Sequence, residues 1–165
     1  MDGFQPFSTT QCVGYVALAL GVAAFLQKRD VSLKLLNGTQ NIAYALHFVL
    51  LGNMAAGTSA FVSAARSLLA ARFRAPWLAG VFIALNLALG LPVLQSPFGL
   101  VPIIAGCSAT AAVFLLQGVK LRLVLLGCTM AWLVNNIVSG SIGGTVLEAF
   151  VAVANTTTII RLLRG

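Results

Sequence analysis

The sequence predicts an all-α membrane protein with seven transmembrane helices, and three observations support that prediction. Of the 165 residues, 59% are hydrophobic and 8% are charged, and the mean hydropathy is +1.00. This composition leaves too little polar surface to cover a water-soluble protein of this size. Apolar segments close to the roughly 20 residues that cross about 30 Å of hydrocarbon recur along the chain. The basic residues gather at every second boundary between these segments.

The predicted helices follow one another with connections of only a few residues. Pro76 lies in the first turn of the fourth segment, where its missing N–H is harmless, and Pro92 and Pro97 flank a turn before the fifth. Gly140 precedes the last segment. The start of the chain lacks the positive charges of a signal peptide, so we expect the first segment to be retained. In chain order, the segments are residues 9–26, 31–51, 54–71, 76–94, 99–117, 119–138 and 143–162.

The distribution of charge predicts the orientation in the membrane. The turns near Gly52, Gln95 and Gly140 contain no Lys or Arg, and cytoplasmic loops are the ones that retain these residues. We therefore expect the N-terminus outside and the C-terminus in the cytoplasm. The net charge of +7 favours contact with membrane lipids and not nucleic acid, because the basic residues flank apolar helix ends. They are Lys28, Arg29, Lys34, Arg66, Arg72, Arg74, Lys120, Arg122, Arg161 and Arg164.

An internal repeat appears when the chain is shifted on itself by 88 positions. Basic residues then coincide with basic residues, aromatic with aromatic, polar with polar and glycine with glycine. The repeat predicts a 3+1+3 bundle within a single domain, residues 1–165: three helices (9–71), a linker helix (76–94) and three helices in the same orientation (99–162). The coinciding pairs are Lys34 with Arg122, Tyr44 with Trp132, His47 with Asn135, and Gly52 with Gly140.

The 3+1+3 pattern resembles the SWEET and PQ-loop (MtN3-like) superfamily of small membrane carriers. The stretches Tyr44-x-x-His47 to Gly52-Asn53 and Trp132-x-x-Asn135 to Gly140 are similar to the way those proteins end their second helix and begin their third. Over its whole length, and in the residues from Gln40 to Gly52, the chain resembles more specifically the YgjV-type bacterial inner-membrane proteins. The resemblance implies a bacterial inner-membrane location and a distant relationship to carriers.

The chain departs from the superfamily at its hinges. The Pro-Gln pair that names the PQ-loop group is absent, because Gln27 and Gln117 each follow a leucine. Pro102, near the start of the fifth segment, is a candidate to replace one hinge, and nothing replaces the other.

Three ionisable residues lie within the predicted spans, where charge is costly and usually faces the interior of a bundle. We expect Arg66 to extend towards the cytoplasmic headgroups. His47 and Glu148 both lie near the outer side, and we expect them to meet across the two triplets. For His47, a neutral imidazole bonded to a helix carbonyl and a proton-relay or ligand role both remain open. For Glu148, a cavity role, a contact at the start of a helix and simple exposure remain open.

Neutral polar residues extend these positions into two polar faces. Asn37, Asn41, Tyr44 and His47 recur at about one helical turn along the second helix. Two such faces meeting at the repeat axis would line a cavity for a small polar solute; the alternative is that their hydrogen bonds only hold the helices together. The candidate substrate-binding residues are Asn41, Tyr44, His47, Asn53, Trp132, Asn135 and Glu148.

The predicted function is transport of a small polar solute by alternating access, coupled to protons through Glu148 or His47. The alternative is a non-transporting membrane protein that binds, contacts lipid or assists assembly on the same fold. The scattered Cys12, Cys107 and Cys128 and the shortage of acidic residues predict no metal, no cofactor and no enzymatic activity. The sequence leaves the identity of the substrate open. It also leaves the oligomeric state open, and a homo-oligomer is compatible with the sequence.

Overall fold

The fold consists of seven α-helices in a computed structural model that describes residues 6–25, 30–73, 75–116 and 118–164, and these residues include no strand. The prediction of an all-α chain is confirmed. Helix boundaries lie within a few residues of the predicted segments, although the fourth helix gives way to a 3₁₀ turn, Leu91–Val93, that contains Pro92. The helices are α1 (Thr9–Phe25), α2 (Asp30–Leu50), α3 (Met54–Ala70), α4 (Trp77–Gly90), α5 (Leu100–Leu115), α6 (Gly118–Val138) and α7 (Ile142–Leu163).

Among the described residues, three helical segments are long and apolar enough to span a membrane on length and composition alone. They are Pro97–Leu115, Gly118–Val138 and Ile142–Leu163, and two shorter apolar helices cover Thr9–Ala24 and Trp77–Val93. Helix α3 has 17 residues, and α2 includes several polar side chains that lower its hydropathy. Its length therefore separates α3 from the three candidate spans, and its polar side chains separate α2 from them.

Six of the helices pack in a ring, and α4 lies outside it. Around the ring, α1, α2, α3, α5, α6 and α7 each contact the next, and α7 contacts α1. Helix α4 packs on α3 and α5. The buried Asn86 fixes it there: Ser59 Oγ donates to Asn86 Oδ1 (2.9 Å), and Asn86 Nδ2 donates to the Ile103 carbonyl (3.0 Å). One polar side chain therefore connects α3, α4 and α5.

The connections α2–α3 and α6–α7 have the same backbone structure at the predicted offset of 88 residues. Gly52 and Gly140 adopt positive φ values of 78° and 69°, which end their helices in a glycine C-cap. Next, Asn53 caps α3 through the Ala56 N–H, and Ser141 caps α7 through the Gly144 N–H. We call these two connections the corners. Their backbone hydrogen bonds coincide one by one after the shift, including Asn53 N to Phe48 O and Ser141 N to Asn136 O, both 2.9 Å.

Both corners lie at one end of the bundle, which we call the corner end. A cleft of about 210 Å³ there is lined by residues of both corners and of the α4–α5 connection. The start of α1 lies at the same end, because Gln11 Nε2 donates to the Gly140 carbonyl (2.7 Å). The opposite end, which we call the basic end, includes Lys34, bonded to the Ala70 carbonyl, and the last turn of α7. The start of α1 and the end of α7 therefore lie at opposite ends of the bundle.

The corner glycines give a direct test of the fold. We expect Gly140→Ala, and likewise Gly52→Ala, to lower the free energy of unfolding by about 1 kcal/mol, because a Cβ in the left-handed region meets the following carbonyl oxygen. No neighbouring atom lies within 4 Å of either added Cβ, so the effect isolates backbone strain. Gly127→Ala, in a helical turn with equally open space, is the control and should be neutral or slightly stabilising. Equal unfolding temperatures in detergent for Gly140→Ala and Gly127→Ala would contradict this corner geometry.

Candidate functional site

His47 is fully buried at the corner end and connects α2 to both α1 and α7. Its Nδ1 lies 2.7 Å from the Thr10 carbonyl oxygen, and its Nε2 lies 2.7 Å from Ser141 Oγ. A carbonyl only accepts hydrogen bonds, so Nδ1 carries a proton and donates to it; in the neutral ring, Nε2 then accepts from the Ser141 hydroxyl. The imidazole is thus bonded to a helix carbonyl, which is one of the two alternatives that the sequence left open.

The residue equivalent to His47 in the second repeat makes the equivalent contact. Asn135 Oδ1 accepts from Asn53 Nδ2 (3.0 Å), which also donates to Ser139 Oγ (2.9 Å). Asn53 and Ser141 are themselves equivalent after the shift of 88 residues. In each repeat, therefore, a side chain near the end of the second helix bonds to the N-cap residue of the other repeat's third helix. We call the pairs His47–Ser141 and Asn53–Asn135 the cross-repeat bonds.

A layer of aromatic and amide side chains fills the bundle next to the cross-repeat bonds. The hydroxyl of Tyr44 donates to Asn136 Oδ1 (2.8 Å), and Asn136 Nδ2 donates to the Trp132 carbonyl (2.8 Å). The Tyr44 and Phe48 ring centroids are 4.8 Å apart, and the Phe48 and Trp132 centroids 5.7 Å. A Cβ at Gly144 would collide with the Tyr44 hydroxyl and Asn136 Oδ1, so α7 approaches this layer closely.

Arg66 and Glu148, the two remaining ionisable residues of the predicted spans, are both half-buried. Arg66 Nη1 donates to Thr110 Oγ1 on α5 (2.8 Å). The prediction that Arg66 extends to the headgroups was therefore wrong: a buried hydroxyl on the neighbouring helix binds the guanidinium instead.

The structure brings together five of the seven candidate residues, namely Tyr44, His47, Asn53, Trp132 and Asn135. Glu148 lies one helical turn beyond Gly144, which packs closely against Tyr44 and Asn136. Asn41 lies apart from this group, because its Nδ2 donates to the Asn37 carbonyl of its own helix (2.8 Å). The expected contact between His47 and Glu148 is absent, because the two ring nitrogens contact Thr10 and Ser141.

Several residues of the site were not expected from the sequence. Ser141 could have been found, because the 88-residue offset pairs it with Asn53. Asn86 also leaves a signal, as the one polar side chain in the apolar α4. No signal in the sequence indicates Thr110, since its hydrogen bond to Arg66 depends on where α3 meets α5. Within the described ranges, no group of three His, Cys, Asp or Glu side chains is placed to hold a metal ion.

Apolar helices packed through buried polar side chains define a small α-helical membrane protein. The chain belongs to the Imp-YgjV family of bacterial inner membrane proteins, whose sequence model matches residues 8–165. It is similar to inner membrane protein YgjV of Escherichia coli (strain K12), at 34% identity over 154 residues, which cover 93% of this chain and 84% of that protein. No solved structure matches the chain. The predicted family and the inner-membrane location are confirmed.

The cross-repeat bonds can be measured with double-mutant cycles on the free energy of unfolding. We expect the His47→Ala and Ser141→Ala effects to be non-additive by about 1 kcal/mol, the net value of one hydrogen bond. The loss of the Ser141 cap on α7 is common to both backgrounds and cancels. The Asn53→Ala and Asn135→Ala cycle should give a similar coupling.

A control cycle combines His47→Ala with Thr157→Ala, whose exposed hydroxyl bonds only within its own helix. This cycle should be additive within about 0.5 kcal/mol. If both cross-repeat cycles are as additive as the control, the bonds do not hold the repeats together.

Proposed function

We propose that this protein is a carrier of a small polar solute that works by alternating access about the repeat axis, and that the conformation described above is closed at the corner end. The observation that supports this proposal most strongly is the pair of cross-repeat bonds. Equivalent side chains from the two repeats meet at one end of the bundle, so one relative movement of the repeats would break both bonds together. Symmetric contacts of this kind suit a gate between two halves that rock against each other.

The arrangement we propose is a SWEET-like 3+1+3 bundle. The order of contacts supports it: α1 to α3 and α5 to α7 follow each other around the ring, and α4 lies outside. The seam between α1 and α7 and the seam between α5 and α3 are equivalent after the shift of 88 residues. These two seams are where the repeats would move against each other.

The membrane orientation we propose is N-terminus out and C-terminus in the cytoplasm. Its support is the separation of charge between the two ends of the bundle. The corner end has connections without Lys or Arg, whereas Lys34, Lys120, Arg122 and Arg161 lie at the basic end. Cytoplasmic ends of membrane proteins are enriched in such residues. The closed corner end would then face the periplasm.

A gate made of hydrogen bonds can open at low cost. Each bond has a net value of about 1 kcal/mol, because water replaces the lost partner when the groups become hydrated. We therefore assign His47, Asn53 and Asn135 to the gate, and Tyr44, Trp132 and Glu148 to the solute site beneath it, with Glu148 as the proton-coupling group. Asn41 remains a predicted member of that site.

The alternative is a non-enzymatic membrane protein that keeps the fold but transports nothing. The absent Pro-Gln pairs are the observation in its favour, because kinks in helices need an identifiable cause. In that case the cross-repeat bonds would be permanent structural contacts, and a covalent bond in their place would have no functional effect.

A reversible disulfide across the gate distinguishes these two functions. We expect Asn53→Cys combined with Ser139→Cys, in a chain whose native cysteines are replaced, to form a disulfide, because the two side chains are in contact at 2.9 Å. In proteoliposomes supplied with a panel of radiolabelled sugars, amino acids and amides, oxidation should abolish uptake and reduction should restore it.

The matched control is the single variant Asn53→Cys, whose uptake should not respond to oxidation. The carrier proposal fails if the unmodified protein takes up no solute of the panel. It also fails if a disulfide verified by mass spectrometry leaves uptake unchanged.

A further inference from the structure

Gln11 closes the α1–α7 seam at the corner end with its side-chain carboxamide. The side chain is buried, its Nε2 donates to the Gly140 carbonyl (2.7 Å), and its Oε1 accepts from the Ile142 N–H (3.2 Å). Gly140 and Ile142 lie on either side of the N-cap residue of α7. The α6–α7 corner therefore presents one backbone acceptor and one backbone donor, and a primary carboxamide satisfies both.

The α2–α3 corner presents the same pair of backbone groups to the α3–α5 seam. The shift of 88 residues places Gly52 on Gly140 and Met54 on Ile142, and the hydrogen bonds within the two corners coincide. In the part of the chain that the structure describes, neither the Gly52 carbonyl nor the Met54 N–H has a hydrogen-bond partner. The residue equivalent to Gln11 is Gly99, so the second repeat has no carboxamide at this position.

The cleft of about 210 Å³ at the corner end lies beside these two backbone groups. Gly99 lines it, and so do Gly52, Asn53 and Ala55 of the corner, with Met54 between the last two. None of the lining residues is charged, and Gln95, which also lines the cleft, has an exposed side chain. The volume is below the roughly 300 Å³ at which pockets for drug-sized ligands begin, so the cleft suits a small uncharged molecule.

A second contact of the α1–α7 seam is also missing from the α3–α5 seam. His47 Nδ1 bonds to the Thr10 carbonyl of α1, whereas Nδ2 of the equivalent side chain, Asn135, is buried and has no hydrogen-bond partner. The residue equivalent to Thr10 is Phe98, which lines the cleft. The cleft therefore lies between elements whose equivalents are bonded to each other in the α1–α7 seam.

We infer that this cleft binds a small uncharged molecule through a primary carboxamide group. The N–H of that group donates to the Gly52 carbonyl, and its oxygen accepts from the Met54 N–H. The bound group thus reproduces the contacts that Gln11 makes in the α1–α7 seam. This site is separate from the proposed solute site beneath the gate, and it does not depend on transport.

Other small ligands fit this pair of backbone groups less well. A carboxylate has no donor for the Gly52 carbonyl, and an ammonium group has no acceptor for the Met54 N–H. Either charge would also lack a counter-charge in the lining of the cleft. A hydroxyl donates and accepts through a single oxygen atom, whereas a carboxamide offers a separate nitrogen and oxygen to the two groups.

The first experiment measures binding of propionamide to the unmodified protein in detergent by saturation-transfer NMR. We expect saturable binding, and binding at least about fivefold weaker for N,N-dimethylpropionamide, because that molecule has no N–H to donate to the Gly52 carbonyl. Equal binding of the two amides, or no saturable binding of propionamide, would overturn the inference.

The second experiment attaches the carboxamide to the protein. Gly99→Gln introduces the residue that the first repeat has at the equivalent position, so the tethered group should weaken propionamide binding more than about tenfold. The matched control is Gly99→Ala, whose Cβ meets the same Leu94 side chain but brings no carboxamide, and which should retain binding. Gly99→Gln should also unfold at a higher temperature than Gly99→Met, which has a side chain of similar length without the amide.

The results of these experiments separate the carboxamide site from the carrier proposal. If Gly99→Gln binds propionamide as tightly as Gly99→Ala does, the cleft is not a carboxamide site. The same conclusion follows if Gly99→Gln unfolds at the temperature of Gly99→Met or below it. A protein that shows the expected binding but takes up no solute would contradict the carrier proposal and support the site. Uptake of solutes without the expected binding would do the reverse.

Discussion

Polar side chains buried in a membrane protein have to find partners inside the protein, because lipid tails offer none. In this chain, the side chains near the ends of α2 and α6 find theirs at the N-cap residues of α7 and α3. His47 bonds to Ser141, and Asn135 bonds to Asn53. These cross-repeat bonds fix the depth and rotation of four helices at once, and the ring closes around them. Their geometry requires that both corners have the same shape, which the glycines at positive φ provide.

The two predicted repeats have the same backbone geometry at their corners, but they differ in their ionisable residues. Arg66 is equivalent to Ala154, and Glu148 is equivalent to Ala60. Each ionisable residue therefore occurs in one repeat only, and the two occur in different repeats. The cross-repeat bonds also differ in detail, because an imidazole in one of them takes the place of an amide in the other.

Much of the fold could be predicted from the sequence because hydropathy and glycine positions act locally. Segment length predicts the bounds of most helices. The repeat predicts the corners at Gly52 and Gly140. It also predicts that side chains of the two triplets come together, namely Tyr44, His47, Trp132 and Asn135. The direction of the side chains could not be predicted in the same way. A long side chain such as Arg66 can reach headgroups or a neighbouring helix, and the choice depends on whether a hydroxyl lies within reach. The hydroxyl within reach of Arg66 belongs to Thr110, which is 44 residues away in the chain.

The central claim is that the cross-repeat bonds hold two halves that move against each other. Double electron–electron resonance tests it with spin labels at two repeat-equivalent pairs of exposed positions: Leu50 and Val138 at the corner end, and Leu35 and Leu123 nearer the basic end. We predict that combining His47→Ala with Asn135→Ala adds a longer distance at the corner end and a shorter distance at the basic end. Distance distributions that stay the same at both ends in the double variant, despite a folded protein, would contradict the account.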